Sequence, residues 1–414
     1  MSIRALRATL IALLTSLVVA SMTATPAQAH PGRHWTATWE TANIAAAPDP
    51  FGGTNWADGF ENQSLRQPVR VSRGGSEVRI RISNVYGAGP LRVTGASIAR
   101  AADGAAVQPG SLRPVTFNGR RSTVVPAGRQ ANSDAVSLRV TALEELTVTL
   151  YFADRTGPAT FHPFALATSY RAAGNHLTDK SSDAYTETSQ SWYYLAGVDV
   201  SGRPGDAVVA FGDSITDGSF STPDANNRYP DELAERLVAA GSHKAVVNAG
   251  IGGNKVLTDN NPGFGDRATA RFGRDALGQP GVRTVIVLEG INDIGLGEGP
   301  EAVPVTAQQL IGGYRTLIRA AHARGVKMIG ATILPFAGVI YPGYYTERGE
   351  QVRDAVNDWI RTSGEYDAVA DFDRALADPA DPDRLNPAYD GGDGLHPNDA
   401  GMRAMAQTID LDEL

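Results

Sequence analysis

The chain has 414 residues, of which 42% are hydrophobic and 20% charged, with a formal charge of −8. It is long enough for two cores of about 150–200 residues, too apolar to be disordered, and has no basic run to draw it to nucleic acid or an anionic membrane. It contains no cysteine, which excludes disulfides, thiol nucleophiles and thiolate zinc sites together.

Residues 1–29 read as an export signal. Arg4 and Arg7 precede an apolar stretch over 10–20, and Ala27-Gln28-Ala29 is a small-x-small cleavage site before His30. These first residues hold no adjacent arginine pair, and no later segment approaches the roughly 18 apolar residues of a membrane span. The expectation is a secreted, extracellular protein without a stable membrane anchor. Cleavage removes Arg4 and Arg7 but no acidic residue, so −8 becomes −10.

From residue 30 to 200 the hydrophobic pattern has period two. Val78-Arg79-Ile80-Arg81-Ile82 and Leu146-Thr147-Val148-Thr149-Leu150 alternate strictly, between turns such as Asn118-Gly119. This predicts an N-terminal β-sandwich of roughly eight to ten antiparallel strands with one wet face. Trp35, Trp39 and Trp56 are candidates for core packing or for stacking on sugar rings.

Ser201-Gly202-Arg203-Pro204-Gly205 reads as a linker, and the second domain runs from 206 to 414. Apolar runs at 207–211, 245–248, 284–288, 327–332 and 368–372 alternate with amphipathic stretches at 229–240, 307–324 and 347–361. That predicts an α/β domain, a three-layer α/β/α parallel sheet with its chemistry in the loops after the strands.

Four motifs stand at such strand ends. Gly212-Asp213-Ser214 offers a hydroxyl at a sharp turn, which alone could be no more than a helix cap. Asn248-Ala249-Gly250-Ile251-Gly252-Gly253 is a glycine-rich turn, and Lys255 stands where a dinucleotide fingerprint needs glycine. Asn292, in Gly290-Ile291-Asn292-Asp293, offers an amide as an oxyanion stabiliser would, or a cap for the next turn. Asp393-Gly394-Leu395-His396 places a carboxylate three residues from an imidazole, so that one ring nitrogen can be held while the other faces a serine. His322 and His243 have no acid so well placed in sequence. A metal reading of His396 with Asp393 lacks a second histidine cluster.

Together and in this order, the four blocks resemble those of the SGNH (GDSL-type) hydrolases, over about residues 206–410. The resemblance implies a flavodoxin-like SGNH fold and a carboxylic ester hydrolase with a catalytic triad of Ser214, Asp393 and His396. It also implies an oxyanion hole of Ser214, Gly253 and Asn292, with neighbouring Gly252 as the alternative glycine, and no cofactor or metal. The expected substrates are small-molecule or polysaccharide esters, with no nucleic-acid partner. An acyltransferase with the same triad and a non-catalytic carbohydrate-binding protein are the rival functions. The first half looks like the β-rich, jelly-roll-like domain that precedes some secreted actinobacterial members. The stretches 222–228 and 341–345 are expected to border the pocket, with Phe336 and Tyr344 as candidate acyl-chain contacts.

Overall fold

The period-two half folds as two larger antiparallel sheets with two short two-stranded pairs beside them. The structure, a computed structural model, describes residues 34–49, 55–260, 262–296 and 304–414. The expected export signal and His30 lie outside them. One sheet has four strands in the order Trp35–Glu40, Leu195–Ser201, Glu77–Asn84 and Arg129–Asn132. The other has six, with Gln63–Arg70 and Glu145–Phe152 paired at its centre. Val78, Ile80 and Ile82 from the first sheet and Leu146, Val148 and Leu150 from the second are buried between them, as the alternation predicts.

The expected wet face differs on the four-stranded sheet. Arg81 and Asp199, the cross-strand partner of Arg79, are buried, and the Arg81 guanidinium donates to Gln279 Oε1 at 2.5 Å in the second half of the chain. Polar residues alternate here because they meet another protein surface, not water. Trp39 and Trp56 are core residues packed on Trp192 and Tyr193, and Arg79 lies over the Trp35 ring. The two buried indoles therefore offer no open face to a sugar.

The second half forms five parallel strands, β1 (Ala207–Gly212), β2 (Ala245–Gly250), β3 (Val282–Leu288), β4 (Lys327–Ala331) and β5 (Ala368–Ala370). Their order in the sheet is 2-1-3-4-5. The chain thus leaves β1 to one side and returns to its other side for β3, which opens a crevice at the carboxyl ends of β1, β2 and β3. Helices α1 (Ser214–Asp217), α2 (Tyr229–Ala239), α3 (Ala268–Asp275), α4 (Ile291–Gly295), α5 (Ala307–His322), α6 (Glu347–Thr362), α7 (Phe372–Leu376) and α8 (Asp399–Thr408) follow in sequence. The amphipathic stretches become α2, α5 and α6 within one or two residues. Thr306, Thr346 and Asn398 cap α5, α6 and α8 through their side chains.

Residues 34–414 make one compact unit, with a hydrophobic core continuous through both halves. Backbone and side-chain bonds stitch the seam: Ala37 N to Pro280 O at 2.9 Å, Val246 N to Ser72 Oγ at 3.0 Å, and Tyr86 Oη to Asp266 Oδ2 at 2.6 Å. No helix among the described residues is long and apolar enough to cross a membrane.

Candidate active site

Strand β1 delivers Ser214 to the crevice. The cap of α1 is Asp213, whose Oδ1 accepts from Ile215 N at 3.0 Å. Capping is thus done by the aspartate, and the serine hydroxyl is left for another partner. That partner is His396, with Nε2 2.8 Å from Ser214 Oγ. On the other side of the ring, Nδ1 lies 2.6 Å from Asp393 Oδ2. An ionised carboxylate only accepts, so Nδ1 carries the hydrogen and Nε2 presents a lone pair to the hydroxyl.

The short Asp393–His396 loop holds this arrangement. Asp393 Oδ1 accepts from the backbone N–H groups of Leu395 and His396, at 3.0 and 2.8 Å. Gly394 sits at φ +70°, and a Cβ there would meet Gly338 O at 2.2 Å, so no other residue fits. Burial alone would raise the Asp393 carboxyl. The His396 hydrogen bond and charge, with the two backbone donors, outweigh it and hold the group down at about 2.

β2 and β3 flank β1 in the sheet, so the loop after β2 and the start of α4 lie on either side of the turn that carries Ser214. Gly252 N donates to Asp217 Oδ2 at 3.2 Å, whereas the N–H groups of Ser214 and Gly253 have no partner among the described residues. Gly253 has φ +70°, and a Cβ there would strike the Phe264 ring at 2.4 Å. Asn292 does not cap its helix. Its Nδ2 donates to Asn254 O at 3.0 Å and its Oδ1 accepts from Tyr344 Oη at 2.9 Å. The tyrosine fixes the amide's orientation and leaves a second N–H hydrogen on Nδ2 uncommitted.

Beneath the site lies a cluster of ionisable groups to which the sequence motifs assign no role, with Asp213 and Asp293 inside the motif blocks and Arg271 and Glu289 outside them. Arg271 is fully buried, donating to Gly212 O, Ala249 O, Asn254 Oδ1 and Glu289 Oε1 at 2.8–3.1 Å. One guanidinium thus ties together the ends of β1, β2 and β3. Three carboxyl groups surround the same level. Burial pushes Asp213 up to about 7 and Asp293 up to about 6, and lifts Glu289 well above the usual range.

Such carboxyl groups bind more protons folded than unfolded, so their contribution to stability falls as pH rises from about 4 towards 7. Asp213→Asn keeps the Ile215 cap, while the lost oxygen, Oδ2, has no hydrogen-bond partner among the described residues. The stability of this variant relative to wild type should therefore rise between pH 5 and pH 8 in urea unfolding. A difference that does not change with pH would contradict the buried-carboxyl assignment.

Tertiary contacts supply further site residues. Tyr341, from the expected border segment, donates its hydroxyl to Asp393 Oδ2 at 2.9 Å. The exposed Phe220 ring stacks on the His396 imidazole with centroids 5.2 Å apart and planes 6° from parallel. Two expectations are corrected. Phe336 is fully buried and Tyr344 is turned inward onto Asn292, so neither lines an acyl pocket. Thr222 is tied to Asp399 at 2.7 Å. His322 does have an acid, Asp367 at 2.9 Å, found only in the fold because 45 residues separate them.

The α/β half is similar in fold to several solved structures. An acetyl xylan esterase from Geobacillus stearothermophilus shares 23% identity over 50% of this chain and 94% of its own, with a TM-score of 0.39. A lipase/acylhydrolase from Enterococcus faecalis shares 20% over 49% and 93%, at 0.39. The aryl esterase of M. smegmatis shares 17% over 49% and 95%, at 0.39. Among curated proteins the chain has no detectable relative. Residues 210–404 match the GDSL-like Lipase/Acylhydrolase family, from within β1 to within α8 and across all four motif blocks. Residues 210–404 are therefore a GDSL-like lipase/acylhydrolase (SGNH) domain, and the protein is a carboxylic ester hydrolase.

Proposed function

We propose that this enzyme is an extracellular serine esterase that hydrolyses acetyl or short-chain acyl esters through an acyl-enzyme on Ser214. The observation that carries this is the unbroken chain from Ser214 Oγ through His396 to Asp393, at 2.8 and 2.6 Å. His396 Nε2 takes the hydroxyl proton as Oγ attacks the ester carbonyl. Asp393 holds the imidazole and balances its charge without taking the proton. The imidazolium returns the proton to the leaving alcohol, and water then repeats the sequence on the acyl-enzyme. The chemistry needs no cofactor.

The oxyanion is held by the N–H groups of Ser214 and Gly253 and by Asn292 Nδ2. The engagement of Gly252 N–H by Asp217 favours Gly253 over Gly252. Secretion rests on the sequence of residues 1–29. The substrate class follows from the rim. Phe220, Leu296, Ile340 and Tyr341 are four of the six exposed large apolar side chains among the described residues. All four stand on loops that carry or contact site residues, and Phe220 covers one face of the His396 imidazole. Such a rim suits an ester whose alcohol or acyl part is apolar or aromatic.

The full chain should turn over p-nitrophenyl acetate, with water as the preferred acceptor when methanol is added. Asn292→Ala should lower kcat by about 100- to 1000-fold and change KM by less than about threefold, because the donor acts on the oxyanion and not on the ground state. Failure to hydrolyse any carboxylic ester, or a loss confined to KM, would sink this assignment.

A further inference from the structure

His162 belongs to the β-rich half, yet it reaches α1, the helix that begins at Ser214. It is buried on the short strand Phe161–His162, with its ring against Trp192 at 5.6 Å between centroids. Its Nδ1 lies 2.7 Å from Ala42 O and its Nε2 lies 2.9 Å from Asp217 Oδ1. Asp217 is the last residue of α1, three positions after the nucleophile, and its other oxygen accepts from Gly252 N. Strand β2, which leads into the loop of Gly252, is tied to α1 through Asn248 Nδ2, which donates to Thr216 O at 2.7 Å.

The hydrogen count in this chain is constrained. The Ala42 carbonyl can only accept, so Nδ1 must carry a hydrogen. A neutral imidazole would then turn an Nε2 lone pair onto a carboxylate oxygen, which repels. A hydrogen bond between Nε2 and Asp217 Oδ1 therefore needs a hydrogen shared between these two atoms. Asp217 is thereby pinned from one side by the β-rich half, and pins Gly252 N–H on the other.

We infer that His162 is a positioning residue for the oxyanion hole: acting through Asp217 and Gly252, it aims the Gly253 N–H at the reacting carbonyl oxygen. The inference rests on the assignment of Ser214 and Gly253 made above. It gives the β-rich half a part in the chemistry. With Gly252 N–H captured, the peptide that follows is held in the left-handed turn of Gly253, and its N–H has no partner among the described residues. Releasing Asp217 frees Gly252 N–H to compete for the oxyanion and lets the turn relax.

The test is steady-state hydrolysis of p-nitrophenyl acetate by the full chain carrying His162→Ala, Asp217→Ala, Asp217→Asn or Ser214→Ala. An asparagine at 217 can keep both bonds without the extra proton, its Nδ2 donating to a neutral His162 and its Oδ1 accepting from Gly252. His162→Ala and Asp217→Ala should each lower kcat by about 10- to 100-fold, a fraction of a whole oxyanion donor, with KM within about twofold. Asp217→Asn should recover most of what Asp217→Ala loses. A residue needed only for packing would shift the unfolding midpoint and leave kcat of the folded fraction alone. The inference is overturned if either folded alanine variant keeps kcat within twofold of wild type, or if Asp217→Asn falls as far as Asp217→Ala. Should an alanine variant not fold, the asparagine variant decides, since its kcat must stay well above the residual rate of Ser214→Ala. Activity surviving in Ser214→Ala would instead remove the assignment on which the inference stands.

Discussion

Ser214→Ala is expected to lower kcat by about 10⁶-fold, the loss seen when a serine hydrolase is stripped of its nucleophile. The thermal transition should barely move, because the hydroxyl's one described bond is to His396. His396→Ala should lose as much, and the double variant no more than either single one, because nucleophile and base act as a unit. Asp393→Asn should cost less, about 10⁴-fold, through the wrong imidazole tautomer. The wild-type carboxyl is held at about 2, so it stays ionised through ordinary assay pH. That depressed value also contributes stability that is present above about pH 4 and is lost as pH falls towards 2. Measurable turnover by Ser214→Ala above the rate of the double variant would show that another nucleophile is at work.

The largest expected loss of stability falls on Arg271→Ala. The guanidinium is completely buried, lies over the Phe211 ring at 4.0 Å, and bonds to the ends of three strands at once. Its removal strands the Gly212 and Ala249 carbonyls, Asn254 Oδ1 and Glu289 Oε1 without a donor. Each buried acceptor left unsatisfied costs about 1–3 kcal/mol, so the loss should reach about 3–5 kcal/mol. Arg271→Lys should recover little of it, because an ammonium cannot reproduce the planar fork. The measurement is the urea midpoint at constant m. A shift worth less than about 1 kcal/mol in the alanine variant would mean that the strand ends hold together without the arginine.

The legible parts of this protein are those whose signal is local. The parallel strands other than the short edge strand β5 are buried on both faces and appear as short apolar runs, and helices such as α5 and α8 carry their caps in sequence, at Thr306 and Asn398. Asp393 and His396 are three residues apart, and Ser214, Gly253 and Asn292 each follow a strand. What stayed hidden depends on contacts between distant segments. Tyr341 and Tyr344 each meet their site partners 52 residues away, and His162 meets Asp217 across 55. Nothing near Arg271 in sequence announces a cation beneath the site. The alternation around Arg81 predicted water on that face because a period of two reports polarity, and cannot distinguish solvent from a second polar protein surface.

The most direct measurement is mass spectrometry of the full chain after reaction with a fluorophosphonate ester, which captures an activated serine. One adduct per chain, located on Ser214 and formed far more slowly in His396→Ala, is the expected result. An adduct on another residue, or labelling of Ser214 undiminished without the imidazole, would contradict the triad.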